Sequence, residues 1–334
     1  MAVTISDIAA DANVSISTVS RVINGSKAVG DDLKARVMES VEKLNFVPNA
    51  AARSLITQKT NVIAVVEADL TNPVTATILK EIDQCCMKNN KVLMICDYDY
   101  SNKKAAALLS KLKERNVDGI IFMGVNLDEE ILCRLREFEC PVILAQQGTE
   151  SEVCEFTTVT DDSYHATIDV TNFLIHEGHS RIAYIGGKEN DYTNGKLRLK
   201  GFLDAMRENG FEVPDSYIVR GEFSLEGGKK GIQRIYENNL YLPTAVISGS
   251  DLIAVGAIRY LQSVNVKVPD DISIFGFDDS VSDVFELPLS TVRSYDRGSI
   301  LCEQLFRESN LDEKKDWIYY PYKILRRNST RPVR

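Results

Sequence analysis

Features that mark secreted, zinc-binding and membrane proteins are missing from this sequence. Its seven cysteines include no CxxC pair and no zinc spacing, and an odd number of them does not complete a disulfide framework. No apolar run approaches the length of a transmembrane helix, and the polar N-terminus does not resemble a signal peptide. These absences predict a soluble protein of the cytoplasm with reduced thiols and no membrane partner.

Catalytic patterns are also scarce, and the chain has only three histidines. His176 and His179 stand one residue short of the HExxH spacing of zinc proteases, and Gly178 between them is better placed to end a helix. Ile185-Gly186-Gly187 follows a predicted strand but does not complete the GxGxxG pattern of dinucleotide binding. No Ser/His/Asp constellation can be assembled around His165. The sequence therefore predicts that the protein is not an enzyme and has no catalytic residue, metal or cofactor.

The first fifty residues, in contrast, carry clear signals of short helices. Thr4 and Asp7 are spaced for a reciprocal cap that opens a first helix. Ser15 stands where a second helix needs its N-cap, and Asn24-Gly25 ends that helix because both residues tolerate positive φ. A third helix is predicted from about Asp31 to Leu44. Its apolar residues are spaced to close a three-helix core: Leu33, Val37, Val41 and Leu44.

The second helix has two different faces. Val19, Val22 and Ile23 form an apolar face, whereas the opposite face is polar and shows Ser17, Thr18 and Arg21. Two short helices joined by a tight turn, the second polar at its exposed N-terminal end, are typical of a helix-turn-helix whose second helix enters the major groove of DNA. Its hydroxyls and guanidinium can reach base edges and phosphates. A helical hairpin without a nucleic-acid role is the alternative.

The segment after the third helix decides between these interpretations. Phe46-Val47-Pro48 breaks helicity, and Asn49 can cap a new helix that is too short to be stable alone in water. This helix is expected to order only against a partner, with Leu55 as an apolar wedge. From Thr4 to Leu55 the sequence resembles the DNA-binding headpiece of the lactose repressor (LacI/GalR) family of bacterial regulators.

This resemblance implies a set of DNA contacts in the two grooves. The polar end of the second helix would face the major groove, while the hinge helices of two subunits would pair in the minor groove. There, Leu55 of each subunit would wedge into the central step of a palindromic operator. The resemblance implies this DNA-binding set: Thr4, Ser15, Ile16, Ser17, Thr18, Arg21, Asn24, Asn49, Ala52, Arg53, Leu55 and Ile56.

A net charge of −9 does not contradict a DNA partner. Residues 1–60 hold 7 of the 39 Lys/Arg and 6 of the 48 Asp/Glu, which gives +1, and the remaining residues hold 32 and 42, which gives −10. A weakly basic headpiece predicts modest nonspecific affinity. Tight binding is therefore expected to require a dimer and a matched site.

Beyond a polar linker at residues 57–61 the pattern changes. Short apolar runs such as VIAVV, GIIFM and ISIFGF alternate with helical segments twice over, which predicts two doubly wound parallel sheets. Such lobes form a ligand cleft outside the C-terminal ends of their strands. This part resembles the periplasmic-binding-protein-like core of the same family. That resemblance implies chain crossings between the lobes near 161, 290 and 322, with a helix at about 295–309 returning to the first lobe.

The predicted fold class is thus an N-terminal all-α helix-turn-helix headpiece followed by an α/β two-lobed core. The headpiece is expected at 1–48 and the hinge helix with its linker at 49–60. An effector-binding and dimerisation core is expected at 61–334. Within it, lobe 1 spans about 61–161 plus 293–322, and lobe 2 spans about 162–290 plus the C-terminal end.

Two charged residues are the main candidates for the cleft. Arg198, in RLKGF, matches an arginine that holds the effector in sugar- and purine-binding members, and its fork of donors suits vicinal hydroxyls, a carboxylate or a phosphate. Asp278, directly after ISIFGF, matches a hydroxyl-accepting aspartate. A simple interlobe salt bridge between the two is the alternative. The aromatic residue that many relatives place on the first-lobe wall is missing. The resemblance implies this effector-binding set: Val74, Thr75, Gln146, Arg198, Ser250 and Asp278.

The sequence also resembles the catabolite-control subgroup of the family, whose members bind DNA with the serine-phosphorylated phosphocarrier protein HPr as corepressor. Tyr295 and Asp296 match a pair near that interface, whereas Glu303 stands where an arginine is expected and would repel the phosphoserine. Arg198 also replaces a lysine of that subgroup. The favoured prediction is a homodimeric repressor of carbohydrate genes that responds to a sugar or sugar phosphate. HPr-dependent global regulation is the first alternative, and a ligand-binding protein without a regulatory role is the second.

Overall fold

In the computed structural model, the described residues are 3–25, 29–47, 54, 59–124, 127–146, 155–188, 191–281, 285–308 and 316–333. The chain divides into two compact units, Met1–Thr60 and Asn61–Arg334. The side chain of Asn24 and five expected hinge residues lie outside the described part: Asn49, Ala52, Arg53, Leu55 and Ile56. Within that part, no helix is both long and apolar enough to cross a membrane.

The first unit contains three helices, α1 (Ile5–Asp11), α2 (Ile16–Asn24) and α3 (Asp31–Lys43). At the start of α1, the Asp7 N–H donates to the Thr4 hydroxyl and the Thr4 N–H donates to the Asp7 carboxylate, so the reciprocal cap is confirmed. The Ser15 hydroxyl accepts from the Thr18 N–H and caps α2 as expected. Gly25 ends α2 with a φ of 60°, a backbone conformation that glycine adopts without steric cost.

The three helices enclose a small apolar core built around Ile8, Val19 and Val37. Val41 and Leu44 pack against this core as expected. The expectation for Leu33 was wrong, because its side chain is 38% exposed and lies outside the core. Leu33 shares the helical stripe of Val37 but lies one turn nearer the start of α3, where the described core does not cover it. The hydrophobic period therefore gave the correct face and overestimated its length.

The second unit begins with strands and helices in strict alternation. Its first half contains β1 (Val62–Glu67), α4 (Pro73–Lys88), β2 (Val92–Asp97), α5 (Asn102–Glu114), β3 (Gly119–Met123), α6 (Glu129–Arg136), β4 (Val142–Ala145) and β5 (Thr157–Asp161). Three of these strands, β1, β3 and β4, are almost continuous apolar runs that are buried on both faces, as parallel strands between helix layers should be. The edge strand β2 is only partly buried.

The second half repeats this pattern with one irregular turn. It contains α7 (Ser163–His176), β6 (Ile182–Gly186), a π-helical turn (Tyr192–Leu197), α8 (Arg198–Glu208), a 3₁₀ turn (Asp215–Tyr217), β7 (Ile218–Arg220), α9 (Leu225–Asn238), β8 (Ala245–Ser248), α10 (Asp251–Ser263) and β9 (Ser273–Phe277). The chain ends with β10 (Ser290–Ser294), α11 (Arg297–Arg307), β11 (Trp317–Tyr320) and β12 (Tyr322–Leu325).

Among the described residues, twelve strands form two sheets of six, in the orders β11-β5-β4-β3-β1-β2 and β12-β10-β9-β8-β6-β7. Their strand pairs are parallel except for β10 with β12, which is antiparallel. Apolar clusters cover both faces of each sheet. The prediction of two doubly wound sheets is therefore confirmed, with the antiparallel edge strand β12 as the difference. We call the two halves lobe 1 and lobe 2 after these sheets.

The chain passes between the lobes next to three described strands. β5 ends at Asp161 in lobe 1 and leads into α7 of lobe 2, and β10 of lobe 2 leads into α11, which packs against α4 of lobe 1. Finally, β11 of lobe 1 leads through Pro321 into β12 of lobe 2. The second crossing was expected near residue 290, with lobe 1 resuming at 293. In the structure it lies slightly later, because β10 continues to Ser294 and α11 starts at Arg297.

Candidate functional site

The N-terminal half of α2 presents a polar, solvent-facing surface in the first unit. The Ile16 side chain is 51% exposed, and Ser17 and Arg21 are also exposed. The Ser15 hydroxyl oxygen lies 2.8 Å from both the Ser17 and the Thr18 hydroxyl oxygens. This surface combines hydroxyls, a guanidinium and free helix N–H groups, which are the groups that contact phosphates and base edges in DNA.

A framework of side-chain bonds fixes the turn that leads into α2. The Arg36 guanidinium, on α3, donates to the carbonyl oxygens of Ala12 at 2.5 Å and Asn13 at 3.0 Å. Asn13 itself has a φ of 49°, which makes the sharp turn between α1 and α2. The Lys43 ammonium lies 2.7 Å from the Asp11 carboxylate and joins α3 to the end of α1. Contacts from Arg36 and Lys43 of α3 thus stabilise the turn between α1 and α2.

The hydroxyls of Thr4 and Ser15, two of the predicted DNA contacts, are both engaged in helix caps. The Thr4 hydroxyl donates to the Asp7 carboxylate at 2.7 Å, and the Ser15 hydroxyl accepts from the Thr18 N–H at 3.1 Å. Both hydroxyls therefore serve first to start a helix. Their contacts with DNA stay a prediction.

A cavity of about 290 Å³ lies in the second unit and is lined from both lobes. Its lobe 1 wall comes from the ends of β1, β3 and β4 and the start of α4, and its lobe 2 wall comes from the π-helical turn, α8 and the segments after β7, β8 and β9. Strand ends of both sheets thus converge on it, as the doubly wound fold requires. Five of the six predicted effector residues line it: Val74, Gln146, Arg198, Ser250 and Asp278.

Thr75 is the predicted effector residue that the structure places elsewhere. Its side chain is only 1% exposed and does not line the cavity. Thr75 belongs to the buried stripe of α4, together with Ile78 and Ile82, which lie three and seven residues further along the helix. Consecutive helical residues point about 100° apart, so Val74 faces the cavity while Thr75 faces the sheet.

Arg198 and Asp278 belong to a buried cluster of four charges. The Arg198 guanidinium lies 3.9 Å from the carboxylates of both Asp161 and Asp278. The Arg297 guanidinium donates to Asp161 at 3.0 and 3.1 Å and lies 3.5 Å from Asp278. The sequence alternatives were a ligand clamp and an interlobe salt bridge. The structure places both residues in a two-by-two ionic cluster at the lobe crossings that lines the cavity, and the ligand clamp stays a prediction.

The cluster holds its members in their charged forms. Burial would raise the pKa of Asp161, but the guanidinium groups of Arg297 and Arg198 hold it below its usual value. Burial would lower the pKa of Arg297, but the carboxylates of Asp161 and Asp278 raise it above its usual value. Each buried charge is thus compensated by its neighbours, as buried ion clusters require.

Local structure positions Arg198 at the edge of the cavity. A π-helical turn precedes α8 and begins where the Asp191 carboxylate accepts from the Asn194 N–H at 2.8 Å. A side chain at Gly195 would come within 2.0 Å of the Lys188 carbonyl oxygen, so this turn requires glycine. The Arg198 side chain then donates to Ser163 and to the Gly249 carbonyl and lies over the Phe277 ring at 4.4 Å.

Three buried polar atoms of the cavity lining have no hydrogen-bond partner among the described residues. They are Gln146 Nε2, Glu67 Oε2 and Arg297 Nε. Gln146 and Asp278 also have positive φ values of 65° and 99°. Residues other than glycine rarely adopt this backbone conformation, and those that do cluster at functional sites. Unpaired buried donors and acceptors are costly, so they favour a polar ligand that satisfies them.

The sequence missed several residues of the cavity. Tyr100 and Phe223 supply aromatic faces from lobe 1 and lobe 2, in place of the missing wall aromatic. Glu67, Asp69 and Asp191 add carboxylates. A usable signal existed, because all except Asp191 fall at or within three residues after a strand end, at the edge of the sheet where ligands bind. Asp191 could have been found only from the irregular turn that it caps.

The histidine pair that resembled a metal site has a structural role. α7 ends at His176, and Gly178 has a φ of 92°, so the predicted helix stop is confirmed. His179 is buried, with Nδ1 2.9 Å from the Thr244 hydroxyl and Nε2 3.0 Å from the Arg331 carbonyl oxygen. In the described ranges, no group of three or more His, Cys, Asp or Glu side chains is arranged to hold a metal ion.

Comparisons with known proteins agree with both parts of the chain. Residues 4–49 match the family model of bacterial regulatory proteins, lacI family, and residues 60–298 match that of periplasmic binding proteins and sugar binding domain of LacI family. Catabolite control protein A of Priestia megaterium is 32% identical over 335 residues, covering 99% of this chain and 100% of the relative. The HTH-type transcriptional repressor PurR of Photorhabdus laumondii subsp. laumondii is 33% identical over 277 residues, covering 82% of this chain and 80% of the relative.

Solved structures share the same fold over the whole chain. The crystal structure of the lac repressor dimer bound to operator and the anti-inducer ONPF superposes with a TM-score of 0.89 at 23% identity, covering 99% of each chain. The helix-turn-helix, the two-lobed core and a full-length relative at 32% identity together show that this chain belongs to the LacI family of bacterial DNA-binding transcriptional regulators.

Proposed function

We propose that the protein is a homodimeric repressor of carbohydrate genes that binds a palindromic operator. A polyol effector, a sugar or sugar phosphate, raises or lowers its affinity for that operator. One observation carries this proposal: a rigid helix-turn-helix with an exposed polar end stands in the same chain as a cavity whose buried polar atoms lack partners. The first is suited to read DNA and the second to bind a small polar molecule.

The DNA contacts follow from the exposed end of α2. In this proposal Ile16, Ser17 and Arg21 contact base edges and phosphates in the major groove, with Thr4, Ser15, Thr18 and Asn24 around them. Residues 49–60 form the hinge, which folds on the matched operator and inserts Leu55 between base pairs, with Asn49, Ala52, Arg53 and Ile56 beside it. Two headpieces are needed because the headpiece has a charge of only +1 and thus little nonspecific attraction.

The effector contacts follow from the polar groups of the cavity. Arg198 and Asp278 offer donors and acceptors that suit vicinal hydroxyls, and the unpaired amide of Gln146 offers a further donor. Ser250 and Val74 complete the wall. Because the cluster of Arg198 and Asp278 stands at the lobe crossings, a ligand bound there favours one lobe arrangement and changes operator affinity through its differential affinity for two states.

Fluorescence anisotropy on DNA from upstream of the gene tests this function. The purified protein is expected to bind tightly alone and to lose or gain affinity when one member of a panel of sugars and sugar phosphates is added. Binding that is equally tight on random DNA of the same length, at the same salt concentration, would contradict a sequence-specific regulator.

HPr-dependent regulation is the second candidate, since catabolite control protein A is among the relatives. Glu303 on α11 is exposed, at the position where an arginine is expected to meet the phosphoserine. A carboxylate there repels the phosphate, which argues against this partner. In the same assay, weak DNA binding that only serine-phosphorylated HPr strengthens would establish this second candidate and contradict the first.

A further inference from the structure

The charges of the cavity lining are unevenly divided between its two ends. Its carboxylates outnumber its cations five to two: Glu67, Asp69, Asp161, Asp191 and Asp278 against Arg198 and Arg297. At one end, the two arginines and the two aspartates Asp161 and Asp278 lie within 3.0 to 3.9 Å of one another and compensate each other. The other end, which we call the acidic end, consists of Glu67, Asp69 and Asp191.

Glu67 is the centre of the acidic end. The residue is only 5% exposed, and its Oε1 accepts from the N–H groups of Ala68 at 2.8 Å and Asp69 at 3.3 Å. Its Oε2 has no partner in the described structure although it is buried in the cavity lining. A buried carboxylate oxygen without a donor is costly and is normally met by a ligand or a cation.

The three carboxylates line the cavity from both lobes. Glu67 and Asp69 come from the end of β1 in lobe 1, and Asp191 caps the π-helical turn of lobe 2, where it is almost fully buried. Burial raises the pKa of Tyr100 to about 12, and the charges of Asp69, Glu67 and Asp191 all add to this rise. The Tyr100 phenol therefore lies in the field of all three carboxylates.

Glu67, Asp69 and Asp191 form no ion pair with a cation within the described ranges, and burial raises the pKa of Glu67 to about 7 and that of Asp191 above its usual value. A positively charged group on the ligand would therefore stabilise their ionised forms. An ammonium group fits because it is compact and has three donors and no acceptor. Neutral hydroxyls would satisfy hydrogen bonds but leave the charge in place, and a phosphate would be repelled. Metal ions are disfavoured, since no three such side chains of the described residues are arranged to hold one.

We propose that the acidic end binds a protonated amine, so that the effector is an amine-bearing polyol of the amino-sugar class and not a sugar phosphate. This inference rests on the proposed function and names the chemical class of its effector. The hydroxyls of such a ligand lie against Arg198 and Asp278, while its ammonium group lies at the acidic end against Oε2 of Glu67. Binding from both lobes at once makes the ligand a bridge across the cavity.

Isothermal titration calorimetry on the full-length protein tests the inference with matched ligands. Glucosamine, galactosamine and mannosamine are each compared with the parent hexose and with its 6-phosphate at millimolar concentrations. At least one amine is expected to bind tenfold or more tightly than its parent hexose, with the 6-phosphate weakest. A hexose or a 6-phosphate that binds as tightly as its amine overturns the proposal, and so does a panel in which no amine binds.

A charge-removing variant links this preference to the acidic end. Glu67→Gln is expected to lower the affinity for the amine at least tenfold and to leave that for the parent hexose within about twofold, a difference that corresponds to roughly 1.4 kcal/mol per tenfold step. Glu130→Gln removes the same charge from the exposed surface of α6 and serves as the control. If both variants keep the amine preference, the inference fails. Asp191→Asn provides a second test of the same end from lobe 2.

The two proposals fail in different measurements. Calorimetry reports binding to the cavity whether or not the protein recognises DNA. Operator binding without any ligand, measured by anisotropy, reports the headpiece alone. Intact specific DNA binding with no amine preference therefore rejects only the amine class, whereas amine binding without specific DNA binding rejects only the regulator.

Discussion

Asp161 and Arg297 form a buried ion pair at the place where the chain crosses between the lobes, with Arg297 Nη2 3.0 Å from Oδ1 and 3.1 Å from Oδ2 of Asp161. Asp161 ends β5 and Arg297 starts α11. The side chains are only 9% exposed for Arg297 and 14% for Asp161, so each depends on its partners to remain charged. Replacing either residue of this pair is therefore expected to destabilise the fold around the cavity.

Arg297→Met is expected to lower the free energy of unfolding by about 3 to 5 kcal/mol at neutral pH, because Asp161 is left as a buried charge with weaker compensation. Urea denaturation measures the change. Lys113→Met breaks the exposed pair with Glu137 and is the matched control, with an expected cost below about 1 kcal/mol. Equal effects of the two variants would show that the pair is not buried as described.

The stabilisation by this pair also depends on pH. The pKa of Asp161 is held below its usual value, so the pair's contribution to the free energy of unfolding is present above the unfolded pKa and is lost as the pH falls through the folded pKa.

Arg21→Ala is expected to weaken binding to the operator by about 1 to 3 kcal/mol. The Arg21 guanidinium, on the exposed face of α2, is expected to contact a base edge or a neighbouring phosphate of the operator. The same anisotropy measurement on random DNA should show a smaller loss. Lys34→Ala removes an equal charge from the exposed start of α3 and is the control. If Lys34→Ala weakens operator binding as much as Arg21→Ala does, α2 is not the recognition helix.

Leu55→Ala is expected to reduce operator affinity sharply while weak binding to random DNA is retained. Unstacking a base step costs a few kcal/mol, and the wedge recovers that cost only on the matched site. Competition between operator and random DNA in the anisotropy assay separates the two effects. An equal loss on both DNAs would exclude the wedge.

Arg198→Ala is expected to abolish the response of operator binding to the effector and to leave ligand-free DNA binding unchanged. Thr75→Val is the control, since Thr75 lies on the same expected wall in the sequence but is buried against the sheet. Ligand titrations of both variants on the operator, well below their melting temperatures, measure the response. A response that survives in Arg198→Ala, or one that disappears in Thr75→Val, would contradict the assignment of the cavity walls.

Glu67→Gln is expected to stabilise the ligand-free protein in alkaline solution and to change it little in acid. Burial raises the pKa of Glu67 to about 7, with smaller contributions from the neighbouring charges of Asp69 and Asp97. A raised pKa means that the folded state disfavours the ionised form, so wild-type stability falls as the pH rises from the unfolded value of 4.5 towards 7. The shift corresponds to roughly 3 kcal/mol above that range. Thermal unfolding at several pH values checks this, and parallel pH profiles for the variant and the wild type would contradict it.

Local signals in the sequence predicted the headpiece well. The caps at Thr4 and Ser15 and the stop at Gly25 depend on residues within one helical turn, and the structure contains all three. Leu33 failed for a non-local reason, because its burial depends on how far a neighbouring helix extends. The alternation of strands and helices likewise predicted both sheets, whereas the antiparallel pairing of β12 depends on where the chain returns.

The cavity was predictable only in part. Arg198, Asp278 and Gln146 could be found because each stands near a strand end or in a recognisable segment. Glu67 ends a strand and so was a candidate, but the last residue of a buried strand can face either the core or the cleft, and only the assembled sheet decides which. Arg297 could not be found, because its partner Asp161 lies 136 residues away in the sequence. Charges that compensate each other across the fold leave no local pattern.

Pro321 is the only residue between β11 and β12, although the two strands belong to different sheets. One residue contributes two adjustable backbone torsions, and the proline ring fixes one of them. On one side β11 is bound along β5, and on the other β12 is bound along β10. The lobes therefore cannot slide along each other at this edge. Any change in the angle between the lobes must be taken up at this edge by the few backbone torsions next to Pro321.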